Sequence, residues 1–126
     1  NEMGSTTNII GVTMLTSFDD QTIKEIGFNT SVTDTIDQVA SLANECSLDG
    51  LVCSPLEAQK LKNSFPALQL IVPGIRSSYD QTNDQKRILS AKEAIDNGAD
   101  ILVIGRPITE ASEPAKAAEA LLNEIQ

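Results

Sequence analysis

Four short apolar runs, each followed by a segment with helical spacing, restrict the fold of this chain more than any other feature of its sequence. The runs are Ile9–Leu15, Gly50–Cys53, Leu68–Val72 and Ile101–Ile104. They are continuous rather than alternating, which is typical of strands in a parallel sheet that is covered on both faces. Strands that alternate with helices predict right-handed βαβ crossovers. The sequence therefore predicts an α/β fold with four parallel strands.

The segments between and after these runs carry the signals of helices. Asp19 and Asp20 suit a helix start, Pro55 suits a first helical turn, and Gly27 and Gly98 suit helix ends. The predicted helices are Gln21–Ile26, Ser31–Cys46, Leu56–Phe65, Ala91–Asn97 and Glu113–Ile125. Four such βα units make either a small open sheet or half of an eightfold barrel, which has about 250 residues in full. Composition leaves both possibilities open.

Charge and residue usage exclude several functional classes. The net charge of −9 disfavours nucleic acid and anionic membrane surfaces as partners. The absence of His excludes Cys–His and Ser–His–Asp catalysis and His-based zinc sites within this chain. Cys46 and Cys53 form no disulfide framework, and we expect reduced thiols in a cytoplasmic protein. No apolar run approaches the ~20 residues that span a bilayer. The chain does not begin with Met, and we expect a piece of a longer product.

Two consecutive predicted strands end in turns that each contain a glycine and an arginine. The third strand continues into VPGIR (Val72–Arg76), and the fourth continues into IGRPI (Ile104–Ile108). Glycine lets the backbone approach an anion closely, and a guanidinium group matches phosphate oxygens. Either turn alone is compatible with a solvated surface arginine. In (β/α)8 barrels the loops after the seventh and eighth strands commonly form a phosphate site, so the pair predicts phosphate binding.

A long polar stretch, Ser77–Lys86, separates the third strand from the next helix. Loops of this length in a compact domain are usually functional or disordered. Gln85 in this stretch can donate an amide hydrogen bond to a phosphate and so hold a closing loop. The alternative is a solvated hydrophilic loop.

Five strings in the chain resemble one enzyme family. They are VTMLTS (Val12–Ser17), DGLVCSPLEA (Asp49–Ala58), VPGIR (Val72–Arg76), NDQKR (Asn83–Arg87) and ILVIGRPIT (Ile101–Thr109). In order and spacing they resemble the C-terminal half of orotidine 5'-monophosphate decarboxylase over nearly the whole chain. The resemblance implies that residues 1–126 form the C-terminal half, strands five to eight, of a (β/α)8 TIM barrel.

The resemblance also implies a set of substrate-binding residues. Arg76, Gln85 and Arg106 match the family's phosphate ligands, with the backbone of Gly105 beside them.

On the pyrimidine side, Thr16 matches the hydroxyl residue that faces the base, and Pro73 matches a position next to the base. The family is a carboxy-lyase that converts orotidine 5'-monophosphate to UMP in de novo pyrimidine biosynthesis. It uses no metal and no organic cofactor, and it usually works as a homodimer with its sites near the interface.

One part of the family pattern is missing from this chain. The catalytic signature is an Asp-x-Lys-x-x-Asp run on an earlier strand, and no such run occurs here. We therefore assign no catalytic residue and no metal ligand, expect the missing N-terminal half of the barrel to carry the run, and expect this chain alone to be inactive. Two alternatives stay open. One is another phosphate-binding barrel enzyme similar to hexulose-phosphate synthase, and the other is a non-catalytic half barrel that binds nucleotide or associates with itself.

Overall fold

The computed structural model describes residues 6–14, 18–75 and 89–125. Within these ranges the strands are β1 (Ile10–Val12), β2 (Gly50–Val52), β3 (Gln69–Pro73) and β4 (Ile101–Val103). The helices are α1 (Asp20–Glu25), α2 (Val32–Glu45), α3 (Pro55–Ser64), α4 (Ala91–Asp96), α5 (Arg106–Thr109) and α6 (Pro114–Glu124). Each predicted strand and helix is confirmed, although β1 is shorter than the apolar run that predicted it. None of the helices described is both long enough and apolar enough to cross a membrane.

Helix α5 lies where the sequence predicts only a glycine turn. Its single turn is closed by the backbone N–H groups of Ile108 and Thr109, which donate to the carbonyl oxygen of Gly105 at 2.9 and 3.1 Å. Pro107 occupies its first turn, where no N–H donor is needed. The polar loop predicted at Ser77–Lys86 lies outside the described residues.

The sheet is parallel throughout, with the strand order β1-β2-β3-β4. Strands that are consecutive in the chain are therefore neighbours in the sheet, and every crossover moves in the same direction. Right-handed crossovers that all move one way place the helices on one face. A doubly wound sheet instead reverses its strand order and carries helices on both faces. The topology thus selects between the two possibilities left by composition, and the chain folds as half of a (β/α)8 barrel.

The hydrophobic core lies between the sheet and the helices. Leu51, Leu70 and Val72 point from the central strands to the helix side and are fully buried. The buried helix residues in the same core are Ile36, Ala40, Ala43, Ala58, Leu61, Ala91, Ala94 and Leu121. Five of these eight are alanines, whose small side chains let the helices approach the sheet closely. This side of the half barrel is therefore packed as in a complete domain.

The opposite face of the sheet is open. Val12, Ile101 and Val103 are 58%, 46% and 51% exposed, although each lies within a strand. The expectation of strands covered on both faces is therefore wrong for this chain. In a closed barrel this face is filled by side chains from all eight strands, and only four strands are present in the described residues.

Two aspartates bind the N-terminal end of the sheet in the same way. Asp49 precedes β2, accepts the Ile9 N–H at 2.7 Å with its carboxylate, and donates its own N–H to the Ile9 carbonyl oxygen at 3.0 Å. Asp100 precedes β4 and makes the equivalent two bonds with Leu70, at 2.8 and 3.0 Å. The pairs β1–β2 and β3–β4 are thus joined at their N-terminal ends by one repeated arrangement.

The turns that lead into these aspartates also match. Ser47 after α2 and Gly98 after α4 both have left-handed backbone, with φ of 56° and 95°. The next residues, Leu48 and Ala99, each donate their N–H to a carbonyl oxygen of the preceding helix at 3.0 Å. Such left-handed turns satisfy carbonyl groups that a helix end leaves unpaired. The repeat is clear in the backbone, although the sequence shows no strict repeat.

Candidate phosphate-binding site

The candidate site lies where β3 and β4 end side by side. Pro73 and Val103 are partners in the parallel register of these two strands. Gly74 follows Pro73 directly, and Gly105 follows Val103 by two residues. The two glycine-containing turns identified in the sequence therefore start from the same end of the sheet, where the strands have their C-terminal ends. This is the placement that a phosphate site after the last two strands of a barrel requires.

Among the described residues, no atom packs against the α-carbon of either glycine. Gly74 has a φ of 80°, in the left-handed region that favours glycine. A Cβ atom added at Gly74 or at Gly105 would meet no described heavy atom within 4 Å. At Gly50, at the opposite end of the sheet, a Cβ atom would lie 2.5 Å from the carbonyl oxygen of Gln69. The C-terminal edge therefore leaves room beside the backbone that the N-terminal edge does not.

Arg106 supplies a positive charge at this edge. It is exposed and begins α5, directly after Gly105. Within the described ranges Arg106 and Lys24 form no ion pair, whereas the other four lysines each pair with a carboxylate, namely Lys60, Lys62, Lys92 and Lys116. A guanidinium group offers a planar set of donors that fits phosphate oxygens in a bidentate manner. Arg106 is therefore available to bind an anion.

A buried hydroxyl group lies at the same edge, at the end of β2. Ser54 is 5% exposed and, by continuation of the β2–β3 register, lies beside Pro73. Its N–H donates to the Glu57 carboxylate at 2.9 Å, and its carbonyl oxygen accepts the Glu57 N–H at 3.2 Å. The Ser54 Oγ faces the Glu57 N–H in a capping box at the start of α3, but no hydrogen bond of normal geometry reaches it from the described residues. An unsatisfied buried hydroxyl costs about 1–3 kcal/mol, so a ligand that pairs with it gains affinity.

Ser54 is absent from the residues predicted on sequence grounds. A serine followed by proline at the start of a helix is typical of an N-cap, and that local role hides any other. Its position at the C-terminal end of a parallel strand was the available signal, because barrel sites are built from such ends.

The structure brings together Pro73, Gly105 and Arg106 of the six predicted positions. Thr16, Arg76 and Gln85 lie outside the described residues. Ile75, the residue before Arg76, is 2% exposed and belongs to the core. The chain is thus anchored directly beyond Gly74, at the point where it leaves the edge of the sheet.

The carboxylates with lowered pKa near the helix starts have capping roles. Hydrogen bonds from the backbone and side chain of Thr22 lower the pKa of Asp19, the N-cap of α1. Ser90 lowers the pKa of Glu93 in the same way, within a capping box at the start of α4. These shifts are explained by local structure and do not indicate an acid–base pair.

The thiol nearest to this end of the sheet, Cys53, is buried, and the described residues show no metal centre. Burial, with a smaller contribution from the Glu57 carboxylate, raises the pKa of Cys53 to about 12, so its thiol stays protonated at neutral pH. Within the described ranges, no group of three or more His, Cys, Asp and Glu side chains is placed to hold a metal ion.

Comparison with known proteins shows the family to which the chain belongs. Residues 1–121 match the family model described as "Orotidine 5'-phosphate decarboxylase / HUMPS family". Over 117 residues the chain is 48% identical to the orotidine 5'-phosphate decarboxylase of Pseudomonas fluorescens (strain SBW25), which is 93% of this chain and 50% of that protein. The orotidine 5'-phosphate decarboxylase of Pseudomonas savastanoi pv. phaseolicola gives the same three values. The chain spans about half the length of the curated relatives it matches.

Solved structures agree on the fold. A crystal structure of orotidine 5'-phosphate decarboxylase from Lactobacillus acidophilus superposes with a TM-score of 0.82 at 31% identity, covering 97% of this chain and 50% of that one. An uncharacterized conserved protein from Geobacillus kaustophilus superposes with a TM-score of 0.76 at 28% identity, covering 94% and 49%. In both cases this chain corresponds to half of the larger structure.

Proposed function

Because this chain belongs to the orotidine 5'-phosphate decarboxylase / HUMPS family, we propose that residues 1–126 are the C-terminal half of an orotidine 5'-monophosphate decarboxylase barrel, with strands five to eight. In this proposal the chain holds the phosphate and the pyrimidine of the nucleotide. The complete enzyme decarboxylates orotidine 5'-monophosphate to UMP in pyrimidine biosynthesis.

The pairing of Pro73 with Val103 carries the proposal. It places Gly105 and Arg106 next to the turn that leads towards Arg76. An exposed guanidinium group without an ion pair in the described ranges, beside two glycines against whose α-carbons no described atom packs, suits a phosphate dianion.

The remaining ligands are proposed from the resemblance of their motifs to those of the family. We assign Arg76 and Gln85 to the same phosphate, with Gln85 holding the loop closed over it. Thr16 and Pro73 are assigned to the pyrimidine side, and the unpartnered hydroxyl of Ser54 adds a polar group beside Pro73.

The phosphate site contributes to the reaction from a distance. Interactions with a non-reacting phosphate can hold a loop closed and lower the barrier at the carbon that loses CO₂. The Asp-x-Lys-x-x-Asp run that protonates this carbon is absent from the sequence and belongs, in this proposal, to the N-terminal half. No metal or organic cofactor takes part, and the complete enzyme is a cytoplasmic homodimer of whole barrels.

The phosphate assignment is tested by replacing Arg106 in a complete barrel that contains this chain. Arg106→Ala should weaken UMP binding by about 10- to 150-fold, because a hydrogen bond to a charged group contributes about 1.5–3 kcal/mol. Uridine binding should be unchanged, since uridine lacks the phosphate. Isothermal titration calorimetry with both ligands measures the difference.

Lys60→Ala is the matched control, because it removes one positive charge from the outer helical layer, where Lys60 pairs with Asp37. We expect UMP affinity to be unchanged in this variant. Equal UMP affinity in the Arg106→Ala variant and the unmodified protein would sink the phosphate assignment.

The division of labour between the halves has a separate test. The purified chain should not convert orotidine 5'-monophosphate to UMP, because it has no residues matching the catalytic run. The reaction is monitored by its change in ultraviolet absorbance. Decarboxylation by this chain alone at the rate of an enzyme would contradict the proposal.

A second candidate is an enzyme similar to hexulose-phosphate synthase, since the matched family model carries the additional name HUMPS. Both candidates place a phosphate at the same edge of the sheet and differ in the rest of the ligand. Competition between UMP and ribulose 5-phosphate for the site distinguishes them. Stronger binding of ribulose 5-phosphate would favour the second candidate.

A further inference from the structure

The sequence contains a single Asn-Gly pair, Asn97-Gly98, and it lies in the turn between α4 and β4, Asn97–Asp100. We propose that Asn97 is a deamidation site that the folded turn protects and that local opening of this turn exposes to reaction. The inference concerns a covalent modification of the chain and does not depend on the proposed function.

Deamidation of asparagine is a reaction of the chain with itself, followed by hydrolysis. The backbone nitrogen of the next residue loses its proton and attacks the side-chain carbon Cγ, and ammonia leaves, so that a five-membered succinimide ring forms. Water then opens the ring at either carbonyl group and gives aspartate or isoaspartate. Glycine in the next position favours the attack, because it has no side chain to hinder the nitrogen and its backbone rotates most freely. Asn97 is therefore the asparagine of this chain with the highest intrinsic reactivity, since all others precede larger residues.

The backbone of Asn97 keeps the two reacting atoms apart. Ring closure requires the Asn97 Cβ to be eclipsed with the Gly98 nitrogen about the Cα–C bond. With a ψ of 4°, the backbone nitrogen of Asn97 takes that eclipsed position instead, and the tetrahedral geometry at Cα turns Cβ away. The turn must therefore rotate before the reaction can start.

The attacking nitrogen is also held by a hydrogen bond. The Gly98 N–H donates to the Ile95 carbonyl oxygen at 2.8 Å, and the Ala99 N–H donates to the Ala94 carbonyl oxygen at 3.0 Å. These bonds satisfy carbonyl groups at the end of α4, so breaking them destabilises the helix end. In the folded turn the Gly98 nitrogen is thus both wrongly oriented and hydrogen-bonded.

Lys62 on α3 holds this turn closed. Its stem packs so closely on Gly98 that a Cβ atom added to the glycine would lie 2.8 Å from both Cβ and Cγ of the lysine. Its Nζ atom donates to the two carboxylate oxygens of Asp100, at 3.0 and 2.8 Å. Lys62 therefore contacts the turn on both sides of Ala99, and these contacts must separate before the turn rotates. Such an opening is a local event that needs less free energy than global unfolding.

The product of the reaction does not fit the closed turn. Asn97 is the C-cap of α4, where the helix dipole disfavours negative charge, and deamidation places a carboxylate there, next to Asp96. Isoaspartate also inserts a methylene group into the main chain before Gly98, whose left-handed φ of 95° shapes the turn. A molecule that reacts while open is therefore hindered from closing again, and the modification accumulates as a record of opening.

Mass spectrometry of the tryptic peptide Glu93–Lys116, from a complete barrel that contains this chain, tests the proposal. Trypsin does not cut between Arg106 and Pro107, and Asn97 is the only Asn or Gln in the peptide, so replacement of its NH2 group by OH is read directly. We expect Asn97 to react at least about tenfold more slowly in the folded protein than in the same protein unfolded in guanidinium chloride. Equal rates in the two states would overturn the proposal.

Lys62→Ala measures the contribution of the lysine. This variant should deamidate about tenfold faster than the unmodified protein under native conditions, because the open turn is more populated, and at the same rate when both are unfolded. Lys60→Ala is the matched control, since Lys60 lies on the same helix but pairs with Asp37, and its rates should be unchanged. Equal native rates in the two variants would contradict the role of Lys62.

Hydrogen exchange of the Gly98 N–H in the unmodified barrel keeps the test decisive if Lys62→Ala fails to fold. Exchange and deamidation both require the open turn, so guanidinium chloride below the unfolding transition should increase both rates by the same factor. Faster exchange with an unchanged rate of deamidation would overturn the proposal.

Discussion

The two ends of the sheet differ in how their polar groups are satisfied. At the N-terminal end, Asp49 and Asp100 bind backbone N–H groups of the neighbouring strands, and Lys62 binds the Asp100 carboxylate at 2.8 and 3.0 Å. Gly50 at this end has no room for even one added carbon. The polar groups named at this end are therefore paired within the chain, and the space beside Gly50 is filled.

At the C-terminal end, several polar groups have no partner among the described residues. Arg106 has no ion pair, the Ser54 hydroxyl has no partner, and no described atom packs against the α-carbon of Gly105. In (β/α) barrels the C-terminal end carries function and the N-terminal end carries stability. The described residues of this chain differ in the same sense, since the polar groups at the N-terminal end are paired within the chain and those at the C-terminal end are not.

The largest expected contrast comes from the same substitution at the two ends. Gly50→Ala should destabilise the protein by about 3 kcal/mol, because the new Cβ meets a backbone oxygen that cannot move aside without disturbing the β2–β3 pairing. Gly105→Ala should change stability by less than about 0.5 kcal/mol. Urea unfolding at one fixed chain concentration measures both. A similar loss in the two variants would break the contrast.

A second contrast lies within the N-terminal end. Asp100→Ala should cost about 2 kcal/mol, since it removes the partner of Lys62 and of the Leu70 N–H. Asp49→Ala should cost about 1 kcal/mol, because Asp49 is exposed and binds a single strand N–H. The same urea experiment ranks them. If Asp49→Ala proves the more costly, the Lys62 pair does not contribute as described.

Ser54→Ala tests the C-terminal end with a smaller effect. Loss of the hydroxyl should lower stability by about 1 kcal/mol or less, because Ser54 is the N-cap of α3 but its Oγ makes no capping hydrogen bond of normal geometry. If the hydroxyl binds the nucleotide, UMP affinity in the complete barrel should fall by about 1 kcal/mol, or roughly fivefold. Calorimetry and urea unfolding of one preparation give both values. A loss of stability without a loss of affinity would make Ser54 a purely structural residue.

The smallest expected effect is a decrease of the unfolding free energy at low pH. Partial burial raises the pKa of Asp100, but hydrogen bonds from Lys62 and the Leu70 N–H outweigh it, so the pKa lies below its usual 3.8. A carboxylate with a lowered pKa stabilises the fold above its unfolded-state pKa and loses this effect as pH falls through the folded-state value. Unfolding free energy should therefore drop below about pH 4. The drop should be smaller in Asp100→Asn, and an identical pH profile would contradict this assignment.

Much of the fold was predictable because its signals are local. Asp19 at the start of α1, Pro55 at the start of α3 and Gly98 after α4 act through neighbouring backbone groups, and all three were identified correctly from the sequence. Helix α5 was missed because a single turn that begins at a Gly-Arg-Pro sequence has no periodicity to detect.

The candidate site was predictable only in part. Gly105 and Arg106 directly follow a predicted strand, and this position in the chain is enough to predict them as phosphate-binding residues. Ser54 was not nominated, because a serine before a helical proline has a sufficient local explanation and its unpaired hydroxyl depends on packing.

The amino-acid sequence predicts the order of the strands and of every helix except α5, the helix ends and the acidic charge, and its motifs resemble one family. These properties depend on composition or on residues close together along the chain. The sequential order of β1 to β4, the pairing of Pro73 with Val103 and the uncovered face of the sheet are seen only in the tertiary structure. These features depend on pairing between distant segments, and burial of a strand face is set by which strands are there to cover it.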